Sequence, residues 1–315
     1  MTTHFSDIII LGGGPGGIAA AIWSERLSLS WRLFEKKSQL GGQLSMIHTP
    51  IPDYPGMIYS DGAELRTALE KHLHALNSQN IHTNQHVVSI QSTSNHISIS
   101  TAQNETFHAA TLILASGVQR RRLRLPYINK FLQKGVSYTA SGAIENFHQR
   151  VTAIIGGGDG ALENALKLSH ICPKVHLIFR NNKPTARNHF IESAQNRNNI
   201  IFHANSTLHN ITGEKWMEEI AIQSPKGITK HAAFALLIKV GFEPSSHILG
   251  LDLAKNSSGH IITSPTQKST NPRIWAIGDV CSPLDPSLSL AVGQASVATR
   301  DIERFLHNDA KIGIC

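Results

Sequence analysis

Continuous apolar runs that end in glycine alternate along this chain with stretches of helical character. Residues 6–12 form such a run, Asp7-Ile-Ile-Ile-Leu-Gly12, as a strand buried on both faces should. Ile18–Leu27 follows as a helix rich in small residues, and Trp31–Glu35 as a second short strand. The same order returns at 151–180, with a strand at Val151–Ile155, a helix at Ala161–Ser169 and a strand at Val175–Phe179. Between the repeats lie a helix near 62–77, an alternating strand at Ile97–Thr101 and a buried run at Ala110–Gly117. After the second come Phe234–Gly241, Arg273–Asp279 and a final helix from about Ser289 to Phe305. The pattern predicts an α/β chain. Pairing its end with its beginning gives a discontinuous first domain, 1–117 with 245–315, and a second domain, 118–244, inserted into it.

Composition narrows this picture. A chain of 315 residues, 41% apolar and 16% charged, suits about two globular domains. No run approaches the roughly 20 apolar residues of a membrane span, and no basic and apolar leader precedes the strand at residue 7. Cys172, Cys281 and Cys315 are odd in number and far apart, which argues against a disulfide framework and points to a cytoplasmic protein. The 18 histidines show no metal-ligand spacing, so no metal is expected. The net charge of +7 includes a cluster of Arg120, Arg121, Arg122 and Arg124. Such a surface either balances anionic cofactors or steers an acidic protein partner. Nothing resembles a nucleic-acid-binding motif.

The chemistry lies at the glycines. Gly12, Gly14 and Gly17, with Pro15 and Gly16 between, meet the GxGxxG spacing. Gly12 permits the tight turn, Gly14 lets a pyrophosphate approach, and Gly17 lets helix and strand pack. Glu35 ends the next strand, where a carboxylate accepts hydrogen bonds from ribose hydroxyls. Gly156, Gly158 and Ala161, with Asp159 and Gly160, make a second turn of the G-x-G-x-x-A form. Two Rossmann-like dinucleotide-binding folds in one chain imply redox chemistry between two carriers.

Four further segments are more specific: Gly41-Gly42-Gln43-Leu44, Pro52-Asp53-Tyr54-Pro55-Gly56, Ala115-Ser116-Gly117 and Trp275-Ala-Ile-Gly278-Asp279. With the two turns, they resemble the low-molecular-weight thioredoxin reductase family and its ferredoxin/flavodoxin–NADP reductase relatives, over essentially the whole chain. The resemblance implies an FAD-dependent oxidoreductase, homodimeric, with FAD in the first domain. It carries the flavin site onto Gly12, Gly14, Pro15, Gly16, Gly17, Glu35, Lys36, Gly42, Gln43, Leu44, Asp53, Val88, Ala115, Ser116, Gly117, Gly278, Asp279, Ser287 and Leu288. Asp279 would hold the ribityl hydroxyls, and the helix from Ser287–Leu288 would point its N-terminus at the flavin N1/O2 edge. Pro286-Ser287-Leu288 replaces the family's Arg-Gln-Ala beside the flavin.

Members of the family that reduce thioredoxin carry Cys-x-x-Cys after a Val-Ser-Tyr-like segment. Here Gly135-Val-Ser-Tyr138 is followed by Thr139-Ala-Ser-Gly142, so Thr139 and Gly142 stand where the cysteines would be. Neither residue performs thiol–disulfide exchange. Cys281 falls near the flavin by its place after Gly-Asp-Val, and ordinary packing is the expected role. At the second turn the family binds NADPH, with a His-Arg-Arg…Arg set on its 2′-phosphate. The matching residues here are Phe179, Arg180, Asn181, Lys183 and Arg187, with Gly241 at the domain's edge. Three readings stay open for that site: NADPH with a remodelled grip, a site that no longer uses a pyridine nucleotide and takes electrons from ferredoxin or holds a second FAD, with Phe179 stacked on an adenine or flavin ring, and an empty fold kept for packing. The functional readings are an oxidoreductase linking NADPH or an acidic ferredoxin- or flavodoxin-type carrier to an acceptor, a diflavin enzyme, and a non-catalytic flavin-binding sensor.

Overall fold

A computed structural model describes residues 5–76, 78–140, 144–246, 250–284 and 286–312. The chain divides into two compact units, residues 1–119 with 243–315 and residues 120–242.

The first unit begins with β1 (Phe5–Leu11), α1 (Pro15–Arg26) and β2 (Trp31–Phe34). Proline at the first helical position starts α1, as its fixed φ and missing N–H favour. Next comes α2 (Gly62–His74), N-capped by the Asp61 side chain accepting from Glu64 N–H. Then follow β3 (Ile81–His82), β4 (Val87–Ser92), β5 (Ile97–Thr101), β6 (Thr106–Leu114) and β7 (Val118–Arg120).

The second unit holds β8 (Val136–Ser137), β9 (Thr152–Ile155), α3 (Asp159–Ser169), β10 (Val175–Ile178), α4 (Asn188–Gln195) and β11 (Ile200–His203). Strands β12 (Thr207–Thr212), β13 (Glu219–Ser224) and β14 (Gly227–Ala232) form an antiparallel sheet of their own. β15 (Ala235–Ile238) then returns to give the parallel order β11-β10-β9-β15-β8. Ile154, Leu162, Leu177 and Leu237 are fully buried on the side of this sheet that α3 covers, and each contributes about 1.5–3 kcal/mol.

β16 (Phe242–Pro244) pairs with β7, and β17 (Ile274–Ala276) and α5 (Leu288–Ile312) complete the first unit. Its sheet runs β3-β2-β1-β6-β5-β4, with β17 joined to β6. β6 shares one edge between two partners: Thr106–Ala109 pair with β5 antiparallel, and Leu112–Leu114 pair with β17 parallel. On one face α1 and α5 enclose Ile8, Ile18, Trp31, Ile113, Trp275 and Ile302. The other face buries Ile9, Phe34, Leu112 and Ile274. Asp301 accepts from Trp275 Nε1 at 2.9 Å and Asp309 pairs with Arg273 at 2.9 Å, which fixes α5 along the sheet. No helix among the described residues is long and apolar enough to cross a membrane.

Candidate functional site

In the first unit, β1 ends in a turn that only glycine allows. Gly12 sits at φ +112°, and a Cβ there would lie 2.3 Å from the Ala115 carbonyl oxygen. A Cβ on Gly17 would lie 1.9 Å from the Gly12 carbonyl oxygen. A Cβ on Gly14, by contrast, would meet nothing closer than the Gly42 Cα at 4.0 Å. Gly14 is also the N-cap of α1 and has no side-chain partner for the first-turn N–H groups. The turn thus leaves open space in front of an uncapped helix N-terminus, where an anion is favoured. Glu35 is buried, and its carboxylate accepts from Gly13 N–H at 2.8 Å and Lys37 N–H at 2.9 Å. It therefore braces the turn before it meets any ligand. Lys36 beside it is exposed, and Val88 is half-buried in β4 at a register shift.

Distant segments converge on this turn. Gly41 N–H donates to Gly13 O at 2.7 Å, and a Cβ on Gly42 would come within 3.0 Å of the Gly14 Cα. Gln43 Nε2 then donates to Asp279 Oδ2 at 2.6 Å, which joins residues 236 apart in sequence. Burial pushes the Asp279 carboxyl up, with the Gln43 hydrogen bond and the nearby His260 acting against the shift. Gly278 N–H donates to Gln294 Oε1 at 2.7 Å, and Gly16 packs against Ala291, so α1 and α5 meet beside the turn. Ser287 Oγ accepts from Leu290 N–H at the start of α5, and Ser289 Oγ donates to the Asp53 carbonyl at 3.4 Å. Leu44 is fully buried with Ile51 and Leu65, and Leu288 packs on that cluster. Ser116 Oγ donates to Ser245 O at 2.8 Å, and Gly117 takes φ +62° with free space around it. An open cradle at Gly14, an uncapped helix and a half-buried carboxylate fit an FAD: anionic pyrophosphate at one end and hydroxyl-rich ribityl chain at the other.

The second turn repeats the backbone device, with Thr185 and Ala186 N–H donating to Gly157 O. Gly156 has φ +138°, and a Cβ there would lie 2.2 Å from Lys239 O. Cβ atoms on Gly158 and Gly160 would meet nothing within 4 Å. A cleft of about 240 Å³ opens here, lined by Arg120, Tyr138, Gly158, Gly160, Lys239 and Gly241 among others. Arg120 donates to the Tyr138 carbonyl and lies 5.8 Å from the centre of the Phe242 ring. Asp159 accepts from the Arg187 backbone N–H at 2.8 Å and from its Nε at 2.7 Å. Arg187 is thus held by a carboxylate, while Arg180 and Lys183 are exposed.

One expectation is overturned at this site. Phe179 is no stacking platform: it is buried, lies in edge contact with Phe202 at 6.1 Å, and packs beneath Gly157. Arg120 and Lys239 are the lining residues that motif reading left without a role. The signal for Lys239 is a lysine directly after an otherwise apolar strand, Ala-Leu-Leu-Ile-Lys239, and the signal for Arg120 is its place in the basic cluster 120–124.

The two cysteines among the described residues, Cys172 and Cys281, are poorly placed for redox work, and Cys315 lies outside those residues. Thr139 is fixed by Ser137, whose Oγ accepts from Thr139 N–H at 3.1 Å, and Gly142 lies outside the described residues. Cys281 Sγ contacts the carbonyls of Ala276 at 3.2 Å and Gly278 at 3.3 Å. Burial, with Asp279 nearby, pushes its thiol up to about 11, so it stays protonated. Cys172 is buried and donates to Phe147 O at 3.2 Å. No group of three or more His, Cys, Asp or Glu among the described residues is placed to hold a metal ion.

Residues 6–301 match the pattern of the pyridine nucleotide-disulphide oxidoreductase family. The chain is 31% identical to a thioredoxin reductase of Chlamydia pneumoniae, across 96% of this chain and 99% of that protein. It is 26% identical to the 34.2 kDa protein in the rubredoxin operon of Clostridium pasteurianum, across 95% and 97%. The thioredoxin reductase structure from Lactococcus lactis superposes with a TM-score of 0.82 at 27% identity, covering 96% of this chain and 99% of that one. Fold, turns and matches together place the chain in the pyridine nucleotide-disulphide oxidoreductase family, among its thioredoxin-reductase-like flavin-dependent oxidoreductases.

Proposed function

We propose that this protein is an FAD-dependent oxidoreductase that links NADPH to an external acceptor without a dithiol of its own. The carrying observation is the lack of any competent sulfur pair between two dinucleotide turns: Thr139 replaces the first cysteine, and Cys281 is a boxed-in, protonated thiol. A bound flavin supplies two-electron exchange with a nicotinamide and one- or two-electron exchange with acceptors. The chain's own residues bind and orient. The Gly12–Gly17 turn and the α1 N-terminus hold the pyrophosphate, Glu35 the adenosine ribose, and Gln43 with Asp279 the ribityl hydroxyls. The α5 N-terminus would lie toward the ring edge, where its positive end would favour negative charge by about 0.3–1 kcal/mol. Gly156–Ala161 cradles the NADPH pyrophosphate in the second unit.

Two partners belong to this reading. A second copy of the chain is supported by the exposed apolar side chains of Ile262, Leu284 and Val297 in the first unit. An acidic electron carrier is supported by the net charge of +7 and the exposed Arg121, Arg122 and Arg124. Denaturing the purified protein and quantifying released nucleotides tests the cofactor assignment. One FAD per chain is expected, and two would replace NADPH by a second flavin.

A further inference from the structure

The cleft of the second unit carries positive charge that a glycine turn does not itself require. Lys239, Arg120 and, at its exposed rim, Arg121 line it together with Gly158 and Gly160. Lys239 directly follows β15, and its backbone lies against Gly156, so its side chain starts from the turn. Burial and then the Arg120 charge hold the Lys239 ammonium below its ordinary pKa, so its charge is under-compensated. The carboxylate that acts the other way, Glu163, is already paired with Lys167 at 2.6 Å. The outer cations are differently disposed. Arg187 is held by Asp159, and Arg180 and Lys183 stand in solvent, where a contact is screened.

We propose that Lys239, together with Arg120, grips the pyrophosphate of the dinucleotide, and that this inner pair sets nucleotide affinity in the second unit. The proposal rests on the reading of that unit as a pyridine-nucleotide site, and it names the residues that determine its specificity. A grip on the pyrophosphate is common to NADPH, NADH and ADP. The site therefore discriminates weakly for the 2′-phosphate, since Arg180 and Lys183, the cations left for it among the described residues, are exposed.

Equilibrium binding of NADPH, NADH, ADP and 2′-AMP to the full-length flavoprotein tests this, with wild type, Lys239→Met, Lys239→Arg and Arg180→Ala compared. Lys239→Met is expected to weaken NADPH, NADH and ADP alike by roughly tenfold or more, the scale of one lost charge-assisted contact. It should leave 2′-AMP unchanged, and Lys239→Arg should restore most of the loss. Arg180→Ala should cost about threefold or less, as an exposed contact does. Unchanged affinities in Lys239→Met, or a loss confined to NADPH and 2′-AMP, would overturn the proposal while leaving the nucleotide site standing. A wild-type protein that binds none of the four overturns both. Unchanged flavin content and thermal unfolding of Lys239→Met separate a lost contact from misfolding.

Discussion

In the first unit the turn after β1 is roofed by chain from three places: Gly41–Gln43, Ala115–Gly117 and Gly278–Asp279. In the second, the turn after β9 meets remote chain at two places, Thr185–Ala186 on Gly157 O and Lys239 O on Gly156, and a cleft with Arg120, Arg121 and Lys239 on its wall opens beside it. Both turns have a glycine with positive φ pressed on a carbonyl, and both end in a helix without a side-chain cap. The same backbone device thus serves two kinds of binding. Enclosure by remote segments suits a resident cofactor that leaves only on unfolding. An open cleft walled by cationic side chains suits a ligand that must arrive and depart at each turnover.

The sharpest way to break this contrast is to close each turn in its own unit. Gly17→Ala places a methyl 1.9 Å from a carbonyl oxygen, so it should cost on the order of 3 kcal/mol or more and yield protein without flavin. Gly156→Ala should abolish nucleotide binding and keep the flavin spectrum, and loss of flavin from both variants would erase the distinction. Asp279→Asn should lower flavin affinity by about tenfold, since a carboxylate is the stronger acceptor. Because burial raises this carboxyl above its ordinary 3.8, the folded apoprotein takes up a proton more readily than the unfolded chain. Ionised Asp279 therefore costs stability at neutral pH, and that cost fades on acidification. The Asn variant's apoprotein should melt no lower than wild type at pH 7, with the difference shrinking as pH falls.

A smaller effect should appear only in the second unit. His176 on β10 lies 2.9 Å from His203 Nε2 through its Nδ1, with the His231 ring 5.0 Å away. Burial and then these neighbours, with Lys174, press it down to about 4. Its contribution is complete above 6.5 and is lost as pH falls from there through about 4, on the order of 1 kcal/mol after solvent screening. Thermal unfolding across that window should show a loss that His176→Gln removes. The smallest effect is none: replacing all three cysteines by serine should leave flavin turnover unchanged, and inactivity of that protein would restore a role for sulfur.

Much of the architecture was legible because buried parallel strands announce themselves. Ile8–Ile10, Leu112–Leu114 and Leu236–Ile238 are unbroken apolar runs, and a glycine follows where the chain must turn. The strands β12 and β14 and the helix α4 give no such signal, since their buried positions are few and lie among exposed polar ones, and β13 buries only Ile220–Ile222. The helix expected to reach residue 77 stops at His74, as no apolar position holds the next turn to the core. At the site, glycine spacing located both turns. The Gln43–Asp279 contact and the side chain of Lys239 depend on segments meeting across the fold, which spacing along the chain does not encode. Phe179 shows the converse error, an aromatic at a motif position that packs inward.

Anaerobic titration of the purified flavoprotein with NADPH, followed at the flavin's visible absorbance, tests the central claim most directly. A protein with one resident FAD, an exchangeable nucleotide site and no dithiol should bleach fully at one equivalent of NADPH per flavin. Absence of bleaching would remove NADPH as donor, and an endpoint at two equivalents would reveal a second two-electron acceptor in the chain.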